Sequence, residues 1–320
     1  MYSNPDEVKL DLIVAARWDG AEGVVVLELT DPSGADLPEW APGAHVDVEL
    51  ADGMTRQYSL CGTPSDRSSW RIAVLREPTG RGGSRHVHEA LIEGVEVRLR
   101  GPRNHFPLMP SPRYVFIAGG IGITPIVPML RAADAAGADW ELHYGGRSRE
   151  SMAFLETLKD TSGHRLTPYP QDEVGLIDLH RILGTPQPDT LVYSCGPEPL
   201  LRAVEQHCAD WPEGTLHLER FSSRDAGEPA LTQTFEVELA TTGVTLTVPP
   251  EKSVLEVVEE AGIPALASCR EGICGTCETR VLAGEVDHRD SLMTPAEQAT
   301  NDTMFICVSR AACPRLLLDL

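Results

Sequence analysis

Basic residues are scarce. The 320-residue chain has 27 Lys and Arg against 48 Asp and Glu, a formal net charge of −21. Such a balance argues against nucleic acid and against an anionic membrane surface, and it suits docking on a basic patch of a partner. An apolar run of membrane length is also missing. The longest uncharged stretch, Tyr114 to Leu130, lies between Arg113 and Arg131. It falls short of the ~20 residues that span a bilayer, and a glycine turn and two prolines interrupt it. Met1 to Leu10 lacks the basic-then-apolar pattern of a signal peptide. The eight cysteines form no disulfide framework, which points to a reducing, cytoplasmic setting. The ten histidines show no His-Glu-x-x-His spacing.

What the chain does have is one dense cysteine stretch, Cys269-Arg-Glu-Gly-Ile-Cys274-Gly-Thr-Cys277, answered by Cys307. The spacing C-x4-C-x2-C with a distant fourth cysteine is that of plant-type [2Fe–2S] loops, in which two thiolates serve each iron. Gly272 and Gly275 allow the tight turns such a loop needs and leave N–H groups free to face sulfur. Zinc sites favour C-x2-C pairs, and the x4 gap fits them poorly. Cys61, Cys195, Cys208 and Cys313 remain outside this set. Cys61 and Cys208 read as small buried hydrophobes and Cys313 as a spare thiol.

A cluster that moves single electrons needs a source, and the upstream chain offers one. Its first third reads as six short strands (Leu10–Ala16, Val24–Thr30, His45–Leu50, Gln57–Leu60, Arg71–Leu75, Glu96–Arg100) with one helix over His86–Ile92, a small antiparallel β-barrel. Arg56-Gln57-Tyr58-Ser59-Leu60 places a guanidinium, an aromatic and a hydroxyl within five residues. Gly80-Arg81-Gly82-Gly83-Ser84 precedes the helix, where free N–H groups meet a helix start. Together they make a phosphate site.

The middle third alternates strand and helix, which means a parallel sheet covered on both faces. Strands at Tyr114–Ala118, Trp140–Tyr144, Arg165–Pro168, Thr190–Cys195 and Leu216–Glu219 alternate with helices to about Ala135, over Ser151–Leu158, within Leu176–Leu183 and over Glu198–Cys208. Glycine turns at Gly119-Gly120-Ile-Gly122-Ile-Thr124-Pro125, Gly145-Gly146 and Gly196-Pro197 all follow strands, where ligands of such sheets sit. The first of these turns departs from G-x-G-x-x-G but suits a pyrophosphate.

Phe221–Pro229 is small and polar and reads as a linker. Beyond it come a hairpin (Thr234–Leu239, Val244–Val248), a helix Val254–Ala261 opened by the Ser253/Glu256 capping pattern, the cysteine loop, and strands near Thr279–Leu282 and Met304–Cys307. The C-terminal 234–320 carries 14 acidic and 6 basic residues. The expected organisation is a barrel over 1–110, a Rossmann-like α/β domain over 111–222, a linker over 223–233 and an α+β, β-grasp ferredoxin domain over 234–320.

In this order and at these intervals the Arg56-x-Tyr58-Ser59-Leu60, Gly80–Ser84, Gly101-Pro102-Arg103-Asn104-His105-Phe106, Gly119–Pro125, Cys195-Gly196-Pro197 and four-cysteine motifs resemble the phthalate dioxygenase reductase family over nearly the whole chain. Vanillate O-demethylase reductases are similar too. The resemblance implies FMN in the barrel, with Arg56, Gly82, Gly83 and Ser84 on its phosphate and Tyr58, Ser59 and Leu60 along the flavin, Ser59 near its reactive nitrogen. FAD remains open on the Arg-x-Tyr-Ser core alone. NADH would lie over Gly119, Gly120, Gly122 and Tyr144, with Thr124 between flavin and nicotinamide. Cys195, Gly196 and Pro197 would line the nicotinamide pocket, and Phe221 would shield the flavin.

Ser59, Thr124 and Cys195 are the candidate catalytic residues, and Cys269, Cys274, Cys277 and Cys307 the metal ligands. Arg147 and Arg149 keep NADPH open, while Asp172 and Glu173 would disfavour it. The family implies a monomer that feeds a Rieske-type oxygenase docking near the ferredoxin domain. A haem-thiolate monooxygenase is the alternative partner, and a redox-sensing binding protein the alternative role. By that resemblance no proton-transfer triad is needed.

Overall fold

Alternating apolar residues build the first sheet. In the computed structural model, which describes residues 8–50, 53–78, 80–224 and 226–320, β1 (Val8–Ala21), β2 (Val24–Thr30), β3 (His45–Glu49), β4 (Thr55–Ser59), β5 (Trp70–Leu75) and β6 (Glu96–Arg103) pair antiparallel in the order β4-β3-β6-β1-β2-β5. A bridge between Leu60 and Ile72, with the Cys61 N–H donating to the Arg71 carbonyl at 2.9 Å, brings the end of β4 to β5 and closes the barrel. Helix α1 (Gly83–Ala90) packs Val87 into the barrel core. Met1–Glu7, the start of the expected first domain, lies outside the described residues, as does Asp225 of the expected linker.

The period then changes. β7 (Arg113–Gly119), α2 (Ile123–Ala135), β8 (Asp139–Gly146), α3 (Leu155–Ser162), β9 (Leu166–Pro170), α4 (Gln171–Val174), α5 (Leu179–Leu183), β10 (Thr190–Cys195), α6 (Glu198–His207) and β11 (Leu216–Glu219) form a parallel sheet in the order β11-β10-β7-β8-β9. The chain leaves β7 towards β8 and later returns to β7's other side as β10. That reversal is where open α/β sheets hold ligands, beyond the carboxyl ends of the strands. Helix α3 starts four residues later than its apolar pattern suggests, because Arg149–Ser151 closes a separate short turn with its own Ser148/Ser151 capping box.

Barrel and parallel sheet share one core. Val24, Val26, Cys61, Ala73 and Phe106 pack with Phe116, Ile126, Leu142 and Tyr193. The described residues therefore divide into two compact units between Glu219 and Arg220, with barrel and parallel sheet together in the first.

The second unit holds β12 (Phe235–Leu239), β13 (Val244–Val248), α7 (Val254–Glu260), β14 (Glu278–Ala283), β15 (Val286–Asp287), α8 (Pro295–Thr300), β16 (Thr303–Phe305), β17 (Arg310–Ala311) and β18 (Arg315–Leu318). Its main sheet runs β13-β12-β18-β14-β16, with β18 parallel to β12 and the other neighbouring pairs antiparallel. Val254, Leu255, Val257 and Val258 of α7 are buried in the core beside this β-grasp sheet, and the Ser253/Glu256 capping box opens the helix as its sequence predicts. The expected linker is not loose. Arg224 N–H donates to Ser291 Oγ at 2.9 Å and Ala230 N–H to Asp287 Oδ2 at 3.0 Å, so it lies along this unit. Among the described residues no helix is long and apolar enough to cross a membrane.

Candidate functional site

The carboxyl ends of the parallel strands gather three polar side chains. β10 and β11 run in register, with Cys195 beside Glu219, and Ala118 of β7 lies on the other side of Cys195. Ser59, the last residue of β4, reaches the same point from the barrel. Ser59 Oγ stands 3.5 Å and Cys195 Sγ 3.9 Å from Glu219 Oε2. The carboxyl lies deep among protein atoms while the residue keeps a partly open edge, as a group on a cleft floor would. Burial pushes its pKa up to about 8. Burial, and then the Glu219 charge, push the Cys195 thiol well above its ordinary range. At neutral pH Glu219 is therefore largely protonated, able to hold or move a proton next to Ser59.

The turn after β7 frames this point. Gly122 ends a short 3-10 turn so close to β10 that a β-carbon would meet the Cys195 carbonyl oxygen at 2.3 Å and the Gly196 nitrogen at 2.6 Å. Gly122→Ala must push β10 away from α2. Overpacking of this kind costs about 1–3 kcal/mol, so a lower melting temperature and a raised KM for the nicotinamide dinucleotide are expected. Thr124, 2% exposed, donates from Oγ1 to the Ile121 carbonyl at 2.9 Å and so stiffens the same turn.

In the barrel, the Arg56 side chain crosses Gly83. A β-carbon at Gly83 would lie 2.9 Å from Arg56 Nε, so only glycine admits the guanidinium stem over the start of α1. Gly82, at φ 89°, caps that helix. Ser84 Oγ accepts the Glu77 N–H at 3.0 Å. Tyr58 packs against the barrel core, and burial raises its pKa to about 12, so it stays a neutral phenol. An arginine, a glycine-lined helix start and a ring on one rim fit a phosphate-bearing flat cofactor.

In the second unit the four loop cysteines are buried and fall into two pairs, Cys269 with Cys274 and Cys277 with Cys307, each within hydrogen-bond reach. Hydrogen bonding from Cys269 pulls the Cys274 thiol down to about 6, against burial, and hydrogen bonding from Cys277 lowers the Cys307 thiol. Backbone N–H groups face the sulfurs: Glu271 N lies 3.3 Å from Cys269 Sγ and Thr276 N 3.5 Å from Cys274 Sγ. Among the described residues no group of three or more His, Cys, Asp or Glu is placed to hold a single metal ion. Two thiol pairs with amides aimed at sulfur are the donor set that a binuclear iron–sulfur cluster takes. Cys307, expected to end a strand over Met304–Cys307, lies outside any strand. β16 stops at Phe305, and the Val308 and Ser309 N–H groups donating to the Phe305 carbonyl form a turn that carries Cys307.

An oxidoreductase NAD-binding domain model matches residues 116–206, and a 2Fe-2S iron-sulfur cluster binding domain model matches residues 237–312. The vanillate O-demethylase oxidoreductase of Pseudomonas putida is 41% identical over 320 residues, covering 97% of this chain and all of the relative. Phthalate dioxygenase reductase, solved as a modular structure for electron transfer from pyridine nucleotides to [2Fe-2S], aligns with TM-score 0.71 and 34% identity over 98% of both chains. The chain belongs to the phthalate dioxygenase reductase family. It is also similar to an intact type IV self-sufficient cytochrome P450 monooxygenase, with TM-score 0.92 and 46% identity over 98% of this chain but only 41% of the other, of which it spans about two-fifths.

Within this reductase fold the residues singled out from sequence separate into groups. Arg56, Gly82, Gly83 and Ser84 meet at one rim of the barrel. Ser59, Cys195, Gly119, Gly122, Thr124 and Gly196 gather at the ends of β4, β7 and β10, with Gly120 and the exposed Pro197 in the same turns. The Leu60 and Tyr144 side chains are fully buried (both 0% exposed), so neither is open to a ligand. Leu60 passes the end of β4 into the barrel core. The Tyr144 hydroxyl lies 3.2 Å from the Gly120 carbonyl and 3.1 Å from that of Ala153, and so steadies the glycine turn from below. Phe221 belongs to the second unit and is 41% exposed. Sequence reading missed Glu219. The signal was an acidic residue ending the apolar strand Leu216-His-Leu-Glu219, at the edge where ligands of such sheets bind.

Proposed function

We propose that this reductase draws electron pairs from NADH and delivers them singly, through FMN and a [2Fe–2S] cluster, to a separate terminal oxygenase of the Rieske type acting by aromatic hydroxylation or O-demethylation. The observation that carries this reading is the pairing of the four cysteines in a chain that also holds an NAD-binding sheet. The names of the relatives, a vanillate O-demethylase oxidoreductase and a phthalate dioxygenase reductase, support the oxygenase. When bound, flavin takes two electrons from the nicotinamide and the cluster passes them one at a time.

The chain's own residues do the rest. Arg56, Gly82, Gly83 and Ser84 hold the flavin phosphate, and Tyr58 and Ser59 orient its ring. Gly119, Gly120, Gly122, Thr124, Cys195, Gly196 and Pro197 seat the nicotinamide dinucleotide, Ser59 and Glu219 would hold the proton that the flavin takes up together with the hydride, and the cysteine pairs hold the irons. The role of Phe221 as a shield rests on its place just after the last parallel strand. The domain limits proposed are 1–110, 111–222, 223–233 and 234–320, in a cytoplasmic monomer. Stopped-flow mixing with NADH tests the relay: millisecond flavin bleaching followed by cluster reduction is expected, and slow turnover would favour a redox-sensing protein.

Arg149 and Glu173 support NADH over NADPH. They form a bidentate pair at 2.7 and 2.8 Å near the ends of β8 and β9, so the guanidinium that a 2′-phosphate would seek is already engaged. Glu173→Ala should narrow the ratio of kcat/KM for NADH to that for NADPH, chiefly by raising the latter. The exposed Glu278 and the less exposed Glu271, beside the cysteine loop, are the proposed docking residues. A haem-thiolate partner is the second reading, favoured by the likeness to the self-sufficient P450. Reconstitution with each class of oxygenase separates the two.

A further inference from the structure

Behind the cysteine loop lies a charge that the turn itself does not require. Asp290 is fully buried, at 0% exposure. Its Oδ1 accepts the N–H groups of Leu292 at 3.0 Å and Met293 at 2.8 Å, an Asx turn. Next to that turn, the Ser291 N–H donates to the Gly272 carbonyl at 2.9 Å. Asp290 Oδ2 has no hydrogen-bond partner. It faces His288 Nδ1 at 3.9 Å, too far for a bond, and the His288 side chain is itself nearly buried.

Gly272, at φ 69°, rests directly on this residue. A β-carbon there would meet Asp290 Cα at 3.1 Å and Cβ at 3.5 Å. The Gly272 N–H also faces the Cys307 sulfur. One glycine therefore links Asp290 to a cluster ligand.

Asparagine would accept the same two amide N–H groups without burying a charge. A buried carboxylate with an unmet oxygen is costly, and such a group beside a site is a candidate for a functional role. The potentials of iron–sulfur clusters follow net charge and hydrogen bonding near the sulfurs, and a low local dielectric strengthens both. We infer that Asp290 is a positioning residue that sets the cluster's reduction potential from behind the loop, its fixed negative charge opposing an incoming electron and so keeping the reduced cluster a strong donor. This rests on the reading of the four cysteines as a [2Fe–2S] site.

The test is a potentiometric titration of the full-length holoprotein, followed by the electron paramagnetic resonance signal of the cluster. Asp290→Asn should raise the one-electron affinity about tenfold, a positive shift of ~59 mV, with the line shape unchanged. His288→Gln, whose amide can donate to Oδ2, should shift the potential the same way by less, and it serves alone if the Asn variant fails to assemble. A parent potential retained in both variants, or lowered in Asp290→Asn, overturns the inference. A parent protein without any cluster signal overturns the cofactor reading instead.

Discussion

Glu219→Gln is expected to slow NADH-driven turnover by about 10²-fold, the scale of a lost acid–base group, while leaving the cysteine loop unaltered. Glutamine keeps the shape and can still meet Ser59 and Cys195, but it has no proton to give. In the parent, the buried carboxyl ionises near pH 8, so kcat/KM should fall above that pH. The variant should show no such limb. A second readout separates chemistry from stability. The folded chain holds this proton at pH values where the unfolded chain, with an ordinary value of 4.5, has lost it. Stability from this group therefore falls as pH rises from about 4.5 through about 8, and the burden is complete above that. Glutamine carries none of it. Glu219→Gln should melt above the parent at pH 9, and the difference should vanish towards pH 4. A variant as active as the parent, with the same pH profile, would remove Glu219 from the mechanism and leave Ser59 and Cys195 with positioning roles only.

The other large effect is expected at the exit. Cys274→Ser should abolish NADH-dependent reduction of cytochrome c while bleaching of the flavin by NADH continues at the parent rate. Cys274 shares a pair with Cys269 and accepts the Thr276 N–H, so its loss breaks one half of the donor set. Serine is a poorer ligand than thiolate at neutral pH because its hydroxyl stays protonated. The lesion should stay within the second unit, whose core of Phe235, Val237, Leu239 and the α7 valines is its own. Absorbance of the cluster, flavin reduction and cytochrome c reduction, measured on one sample, check this together. Parent-level cytochrome c reduction in the variant would mean that electrons leave without passing the cysteine loop.

Much of this architecture was written locally. The C-x4-C-x2-C spacing, the β-branched run Val24–Thr30 and the capping box at Ser253 are short-range signals, and the structure carries each of them. Elements whose stability comes from distant partners were less legible. β18, Arg315–Leu318, reads as a short apolar tail. It becomes a central strand because Glu236–Leu239 and Val281–Ala283 pair with it across long stretches of chain. Helix α3 was displaced because a capping box claimed Ser148–Ser151 first.

The same division holds for the site. The four-cysteine spacing, the Arg56 and Gly82–Ser84 motifs and the strand-end glycine turns were legible in the chain, because each depends on residue types at fixed spacing. Three placements depend on the packed fold: Glu219 meets Ser59 from 160 residues away, Leu60 and Tyr144 face the core, and Asp290 lies beneath Gly272. The physical reason is common to all three. Burial and electrostatic environment belong to the packed fold, and the pKa of a carboxyl or the accessibility of a ring follows from what surrounds it rather than from its neighbours in sequence.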